Sequence, residues 1–275
     1  MSRVRCSYVV CATPRSGSTL LCQALAATGV AGRPEEYFEA RRATGAPRSA
    51  ADYFEGAAFE LGRVPRPAVP EYSSLAGIED YRDHLAAVLE RGTGPNGVFG
   101  AKLMWAHVDD FTALARTLPE LEHADLGEIL GALVGEVDYV WVRRRDEVRQ
   151  AVSLWRAIQT QAWRSDGGRP ERPARYSFHA IDHLLNRLRA DDRAWQRYFG
   201  RQSVVPLEIV YEDMAEDLAG SVRAVLRRIG IDCAGVEVAK PELRRQADER
   251  SEEWVERYRG EASVPAATAT PAGTL

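Results

Sequence analysis

Between Cys11 and Leu21 the chain reads CATPRSGSTLL. Residues Arg15, Ser16, Gly17, Ser18 and Thr19 place one fixed cation, three hydroxyls and a glycine in five consecutive positions, a set suited to wrapping an anion. The run lies on the triphosphate pattern G-x-x-x-x-G-K-[ST] with two departures. Ala12 stands at the first glycine and Ser18 at the lysine, while Gly17 and Thr19 match. The absent lysine would have reached the outer phosphates, so the loop suits a ligand with no γ-phosphate, and Arg15 supplies the positive charge. For this stretch alone, an ordinary strand–turn–helix with a serine cap is the competing reading.

Other residues invite chemistry. GRPEEYF puts Glu35 and Glu36 in the loop after the helix that follows Thr19, where an acid can take a proton from an attacking hydroxyl. Two adjacent acids are more often plain solvated charges. Lys102 closes GVFGAKL, and a lysine at a strand end faces the ligand side of a parallel sheet. A partner for a buried acid is its structural alternative. In YVWVRRRDEVRQAVSLW a strand runs into a basic turn, Arg143 to Arg145, and then into a helix carrying Ser153. Taken alone, the arginines read as a solvated turn. A late segment, LRRQADERSEEW, carries Arg244, Arg245 and Gln246, with Asp248 or Ser251 as a candidate helix cap.

These residues need elements to hold them. Four short apolar runs read as buried strands: 6–13, 97–103, 137–142 and 204–211. Between them lie amphipathic segments of helical period, including 78–92 with Gly92 as its C-cap, 146–163 and 178–199. Strands alternating with helices predict an α/β fold of P-loop type, a mainly parallel sheet flanked by helices, with ligands at the carboxyl ends of the strands. Residues 41–75 read as an irregular excursion and 165–176 as a long loop. Trp105, Trp155 and Trp163 are candidates to stack on a sugar, though core packing is the more usual role. The expected organisation is one domain over 1–262 and a disordered tail over 263–275.

Composition excludes several classes. The chain has 275 residues, 45% hydrophobic, enough for one sizeable core. A formal net charge of -4 argues against a general nucleic-acid binder. Lysine occurs only at Lys102 and Lys240, so nearly all fixed positive charge is arginine. Four cysteines without a C-x-x-C pair predict a reduced, cytoplasmic protein without structural zinc. The five histidines are scattered, and no ligand set for a metal stands out. No apolar run approaches the roughly 18 residues of a membrane span.

With these motifs in view, the chain resembles the sulfotransferases that use 3′-phosphoadenosine 5′-phosphosulfate (PAPS). TPRSGSTLL is similar to their 5′-phosphosulfate loop, with Arg15 where many members carry lysine. YVWVRRRDEVRQAVSLW resembles their 3′-phosphate motif, with Arg144 and Ser153 in the clamping positions and Arg145 as the substitute in an alternative register. The nearest resemblance, over roughly 6–258, is to the bacterial trehalose 2-sulfotransferase group, through ATGVAGRPEEYF, GVFGAKLMW, QAVSLWRAIQT and RQADERSEEWVERYR. The resemblance implies sulfuryl transfer from PAPS to a carbohydrate hydroxyl, most closely trehalose, releasing 3′,5′-bisphosphoadenosine (PAP) without a metal. It implies Glu36 as base, with Arg15 and Lys102 assisting. Arg15, Ser16, Gly17, Ser18, Thr19, Arg144, Ser153, Arg245 and Gln246 would hold the nucleotide. It also implies a homodimer. A nucleotide-dependent kinase and a catalytically silent nucleotide binder are the competing functions.

Overall fold

The computed structural model describes residues 4–57, 80–160, 174–238 and 249–263. Among these, four strands form one parallel sheet: β1 (Cys6–Ala12), β2 (Val98–Met104), β3 (Val137–Arg143) and β4 (Leu207–Val210), in the order β2-β1-β3-β4. All three pairings are parallel; Val10 lies beside Lys102 on one side and Val140 on the other. β1 and β2 are buried on both faces, as helix-covered parallel strands require, whereas the edge strand β4 is mostly partly exposed. The fourth strand is shorter than its apolar run, which begins at 204, because Pro206 has no N–H to give the ladder.

One face of the sheet, presenting Tyr8, Val10, Ala12, Val140 and Val142, packs on α1 (Ser18–Ala27) and α8 (Leu218–Arg228). The opposite face, presenting Val9, Cys11, Phe99, Leu103 and Trp141, is covered by α2 (Tyr81–Gly92), α3 (Val108–Ala115), α4 (Leu126–Val134) and the C-terminal half of α6 (Phe178–Gln202). The N-terminal half of α6 joins α5 (Glu147–Thr160) and α9 (Glu249–Ala262) in a third apolar cluster around Trp155, Leu184 and Trp254. A short helix, α7 (Tyr211–Glu216), leaves the end of β4 directly.

The chain leaves β1 toward β2 and leaves β3 toward β4, in opposite directions. Their carboxyl ends therefore flank a switch-point crevice, the place where open α/β sheets bind ligands. Two terminus expectations change. Gly92 is the last helical residue of α2 and Thr93 caps it; a Cβ at 92 would come within 2.6 Å of the Phe99 ring, so this glycine serves close packing instead. Ser251 lies inside α9, with its hydroxyl on Arg156, so it is not the cap; Asp248 lies outside the described residues. The excursion after residue 40 is irregular where described, apart from a 3-10 turn at Ala51–Phe54. Most of 165–176, and 264–275, lie outside the described residues.

Candidate active site

The loop from Thr13 to Gly17 joins β1 to α1 at that crevice. Gly17 is the N-cap of α1 with φ +91, and a Cβ there would come within 2.4 Å of the Tyr211 ring. Backbone conformation and close approach both require glycine at this point. No side chain caps α1, so the first-turn N–H groups and the positive end of the helix dipole face the loop. Ser16 is fully buried, and its hydroxyl has no hydrogen-bond partner among the described residues.

Arg15 adopts a left-handed backbone, φ +64, which a non-glycine residue holds only under restraint. The restraints come from both sides. Its Nε donates to Ser153 Oγ on α5 at 3.1 Å, and Nη1 of Arg144 donates to its carbonyl at 3.4 Å. The long-range pairing of the two basic motifs is thus present as contacts. Burial, followed by repulsion from Arg144, lowers the pKa of Arg15; burial also lowers that of Arg144. The Arg144 guanidinium lies over the Tyr211 ring, 4.8 Å from its centroid, and its Nε is buried without a hydrogen bond. Two partly desolvated cations side by side, with Glu212 Oε1 4.0 Å from Arg144 Nε, are suited to an anion.

The three arginines of the turn have different surroundings. Arg143 pairs with Glu208 and stacks on Trp141. The Arg145 side chain is 61% exposed and bidentate on Asp213, whereas that of Arg144 is 14% exposed and turned to the loop. Glu212 fixes the turn by accepting the N–H groups of Arg145 and Asp146. Beside Arg144 opens a cavity of about 850 Å³ whose walls include Glu147, Arg149, Arg189, Tyr211 and Arg259.

At the other end of the loop, Thr19 Oγ1 accepts from Lys102 Nζ at 3.0 Å, and that ammonium lies 2.5 Å from Glu36 Oε1. Lys102 is buried, and its strand is held to the acidic loop by its own N–H on the Glu35 carbonyl. That extended pairing sends adjacent side chains opposite ways. Glu36 points inward to Lys102, while Glu35 points outward to Arg91. His107 is buried nearby; burial lowers its pKa, and the Glu36 charge opposes that. Trp155 is core, and Trp105 packs edge-on against Trp195. Arg244, Arg245, Gln246 and Trp163 lie outside the described residues.

Four site neighbours escape a motif reading. Tyr211 sits under Arg144 and against Gly17; its signal is its place just after a strand end. Gln150, buried in α5, reaches the loop. Arg48 binds the Ala106 carbonyl and Asp110, and Tyr53 is half-buried, its phenol raised in pKa by desolvation and then by the Glu36 charge. Both lie in the stretch that reads only as irregular.

The site therefore has a double-arginine anion pocket at one end of a phosphate-type loop and a lysine–carboxylate pair at the other. The model of the Stf0 sulphotransferase family matches residues 7–261. The chain is 38% identical over 262 residues to the trehalose 2-sulfotransferase of Mycolicibacterium smegmatis, covering 93% of this chain and 95% of that one. It is 38% identical over 266 residues to the trehalose 2-sulfotransferase of Mycobacterium tuberculosis, covering 95% and 97%. A parallel sheet with its loop, its basic turn and its inward-facing acid all at one crevice agrees with that match, and the chain is a sulfotransferase that belongs to the Stf0 sulphotransferase family.

Proposed function

We propose that this enzyme moves a sulfuryl group from PAPS to the 2-hydroxyl of trehalose. The observation that carries the reading is the loop and helix start that meet different chemistry: Arg15 in the loop on Ser153 and Arg144, and Thr19 at the start of α1 on Lys102, which in turn pairs with Glu36. The acceptor is supported by relatives named for trehalose that match nearly the whole chain.

The residues present fit PAPS. The orphaned Ser16 hydroxyl, the uncapped start of α1 and Arg15 form the donor set a 5′-phosphosulfate needs. Arg144 and Ser153 would hold the 3′-phosphate; Arg144 is favoured over Arg145 because its side chain is largely buried and comes no closer than 4.0 Å to Glu212, whereas Arg145 is exposed and held at 2.8 Å by Asp213. Gly17, Ser18 and Thr19 would offer the turn and its N–H groups; Arg245 and Gln246 keep the nucleotide role that the family resemblance implies. When bound, PAPS supplies an activated sulfuryl group on a phosphate leaving group.

Glu36 takes the proton of the acceptor hydroxyl. Lys102, fixed between Glu36 and Thr19, holds the carboxylate in place and puts a positive charge beside the loop where negative charge develops. Arg15 stabilises the same region from the opposite end. No step in this scheme uses a metal ion. The reading includes a homodimer, as the family resemblance implies, and a cytoplasmic enzyme, as its cysteine pattern implies.

The test is to incubate the protein with PAPS and a panel of trehalose, maltose, sucrose and glucose, with and without excess EDTA. The expected result is trehalose carrying one added SO₃ group by mass spectrometry, located at position 2 by NMR and formed equally with EDTA. Transfer to another sugar in preference to trehalose overturns the acceptor. Loss in EDTA with recovery on adding magnesium, together with ATP turnover, favours the kinase reading. Tight PAP binding without transfer to any acceptor favours the silent binder.

A further inference from the structure

Residues 13–15 lie past the end of β1 and outside its ladder, yet side chains from elsewhere in the fold reach this segment and the Ala12 carbonyl that leads into it. Trp195 Nε1 on α6 donates to the Ala12 carbonyl at 3.1 Å. Gln150 Nε2 on α5 donates to Thr13 Oγ1 at 2.9 Å and to the Pro14 carbonyl at 2.7 Å. Ser153 and Arg144 hold Arg15. Gln150 is 1% exposed, so both hydrogens of its carboxamide are committed to the loop with no water to substitute for them.

Gln150 and Ser153 are three residues apart and share one face of α5. That face touches Thr13, Pro14 and Arg15 in succession, so the rise of one helix turn sets where the loop lies. Ser153 also belongs to the 3′-phosphate side, together with Arg144. The same helix therefore fixes the 5′ cradle and the 3′ pocket relative to each other. A buried glutamine that merely filled the core would not need both N–H groups on consecutive loop residues beside a strained Arg15.

We propose that Gln150 is a positioning residue that holds the phosphate loop in register with α5, so that the two phosphate subsites act together as one site. This rests on the PAPS reading above. Two linked subsites gain affinity only when their spacing matches the ligand. Loss of register should therefore reduce the advantage of a ligand with both phosphates over one with a single phosphate.

The experiment measures the affinities of PAP and of adenosine 5′-monophosphate for the full chain by calorimetry, with the melting temperature alongside. In Gln150→Leu the preference for PAP should fall roughly tenfold, from two lost hydrogen bonds and a looser loop. A general loss of folded protein would scale both affinities equally and leave the preference intact; that result overturns the proposal, as does an unchanged preference. If Gln150→Leu does not fold, Gln150→Glu decides, since its carboxylate keeps the shape but has no hydrogen to give Pro14. A wild-type preference in Gln150→Glu overturns the proposal, and a reduced one supports it. If the wild-type protein itself does not prefer PAP, the donor assignment fails first and this inference fails with it.

Discussion

Lys102 Nζ is shared between Thr19 Oγ1 at the start of α1 and Glu36 Oε1 in the acidic loop. One buried cation thus ties the start of α1 to the acidic loop. Glu36→Gln keeps a carbonyl oxygen for Lys102 but takes no proton at neutral pH. PAP affinity should stay near that of the wild type, while transfer falls by roughly 10²–10⁴. Glu35→Gln, on the Arg91 side of the loop, should have little effect. Single-turnover rates with separately measured affinities check this, and near-normal transfer by Glu36→Gln would move attention to His107.

Arg15 combines a strained backbone with a half-buried charge. Arg15→Ala and Arg15→Gly both remove the guanidinium, and each should weaken PAP by more than about tenfold, the worth of a charge-assisted contact. The two should differ in stability. Glycine adopts φ +64 freely, so Arg15→Gly should be more stable than Arg15→Ala by about 1 kcal/mol. Calorimetry reads the first effect and thermal melts the second; equal PAP affinity in wild type and variants would remove Arg15 from the site.

Arg144 and Arg145 are neighbours in sequence with opposite exposures, and that makes a sharp comparison. Arg144→Ala should weaken PAP much more than adenosine 5′-monophosphate, because only PAP carries the 3′-phosphate. Arg145→Ala should change either affinity less than twofold, since it loses only a surface pair with Asp213. The reverse pattern would reassign the 3′-phosphate to Arg145.

Asp192 is 7% exposed on α6, and burial pushes its pKa up to about 6, with Arg143 acting in the opposite direction. The folded protein therefore holds this proton more tightly than the unfolded chain does. The stabilising contribution is complete below the ordinary carboxylate pKa and is lost as pH rises through about 6. At pH well above that value the ionised group costs on the order of 1–3 kcal/mol. Asp192→Asn should raise the melting temperature at neutral pH, and its advantage should vanish in acid. Melting curves against pH for both proteins check this; a parallel pair of curves would contradict it.

Much of this site is legible in sequence because its parts are short and chain-local. The loop from Arg15 to Thr19, the strand-end position of Lys102 and the strand–turn–helix around Arg144 each depend on neighbouring residues. What is not legible is which side chains face one another across the crevice. Arg144 and Arg145 are equivalent in a motif; only the packing of α7 against the turn gives Asp213 to one and Tyr211 to the other. Gln150 and Tyr53 carry no local signature, since their relevance comes from contacts made over more than a hundred positions or from a loop without period. The strands were readable from apolar runs, whereas Gly92 misled because its reason is the Phe99 ring and not the helix end.

The strand order has a consequence for synthesis. β1 is central, and its partners are late: Cys6 pairs with Val98, and Ser7 with Val137. A ribosome adding about 5–20 residues per second leaves this apolar strand without either partner for several seconds or more after it emerges. The loop from Thr13 to Gly17 waits longer still, because Gln150 and Ser153 come after both partner strands. The nascent chain should therefore acquire nucleotide affinity only after α7 has emerged, since Tyr211 underlies Arg144 and meets Gly17 and Glu212 holds the basic turn, and it should be most in need of chaperones before that point. Stalled chains of increasing length, tested for PAP-dependent protease protection, would show that step.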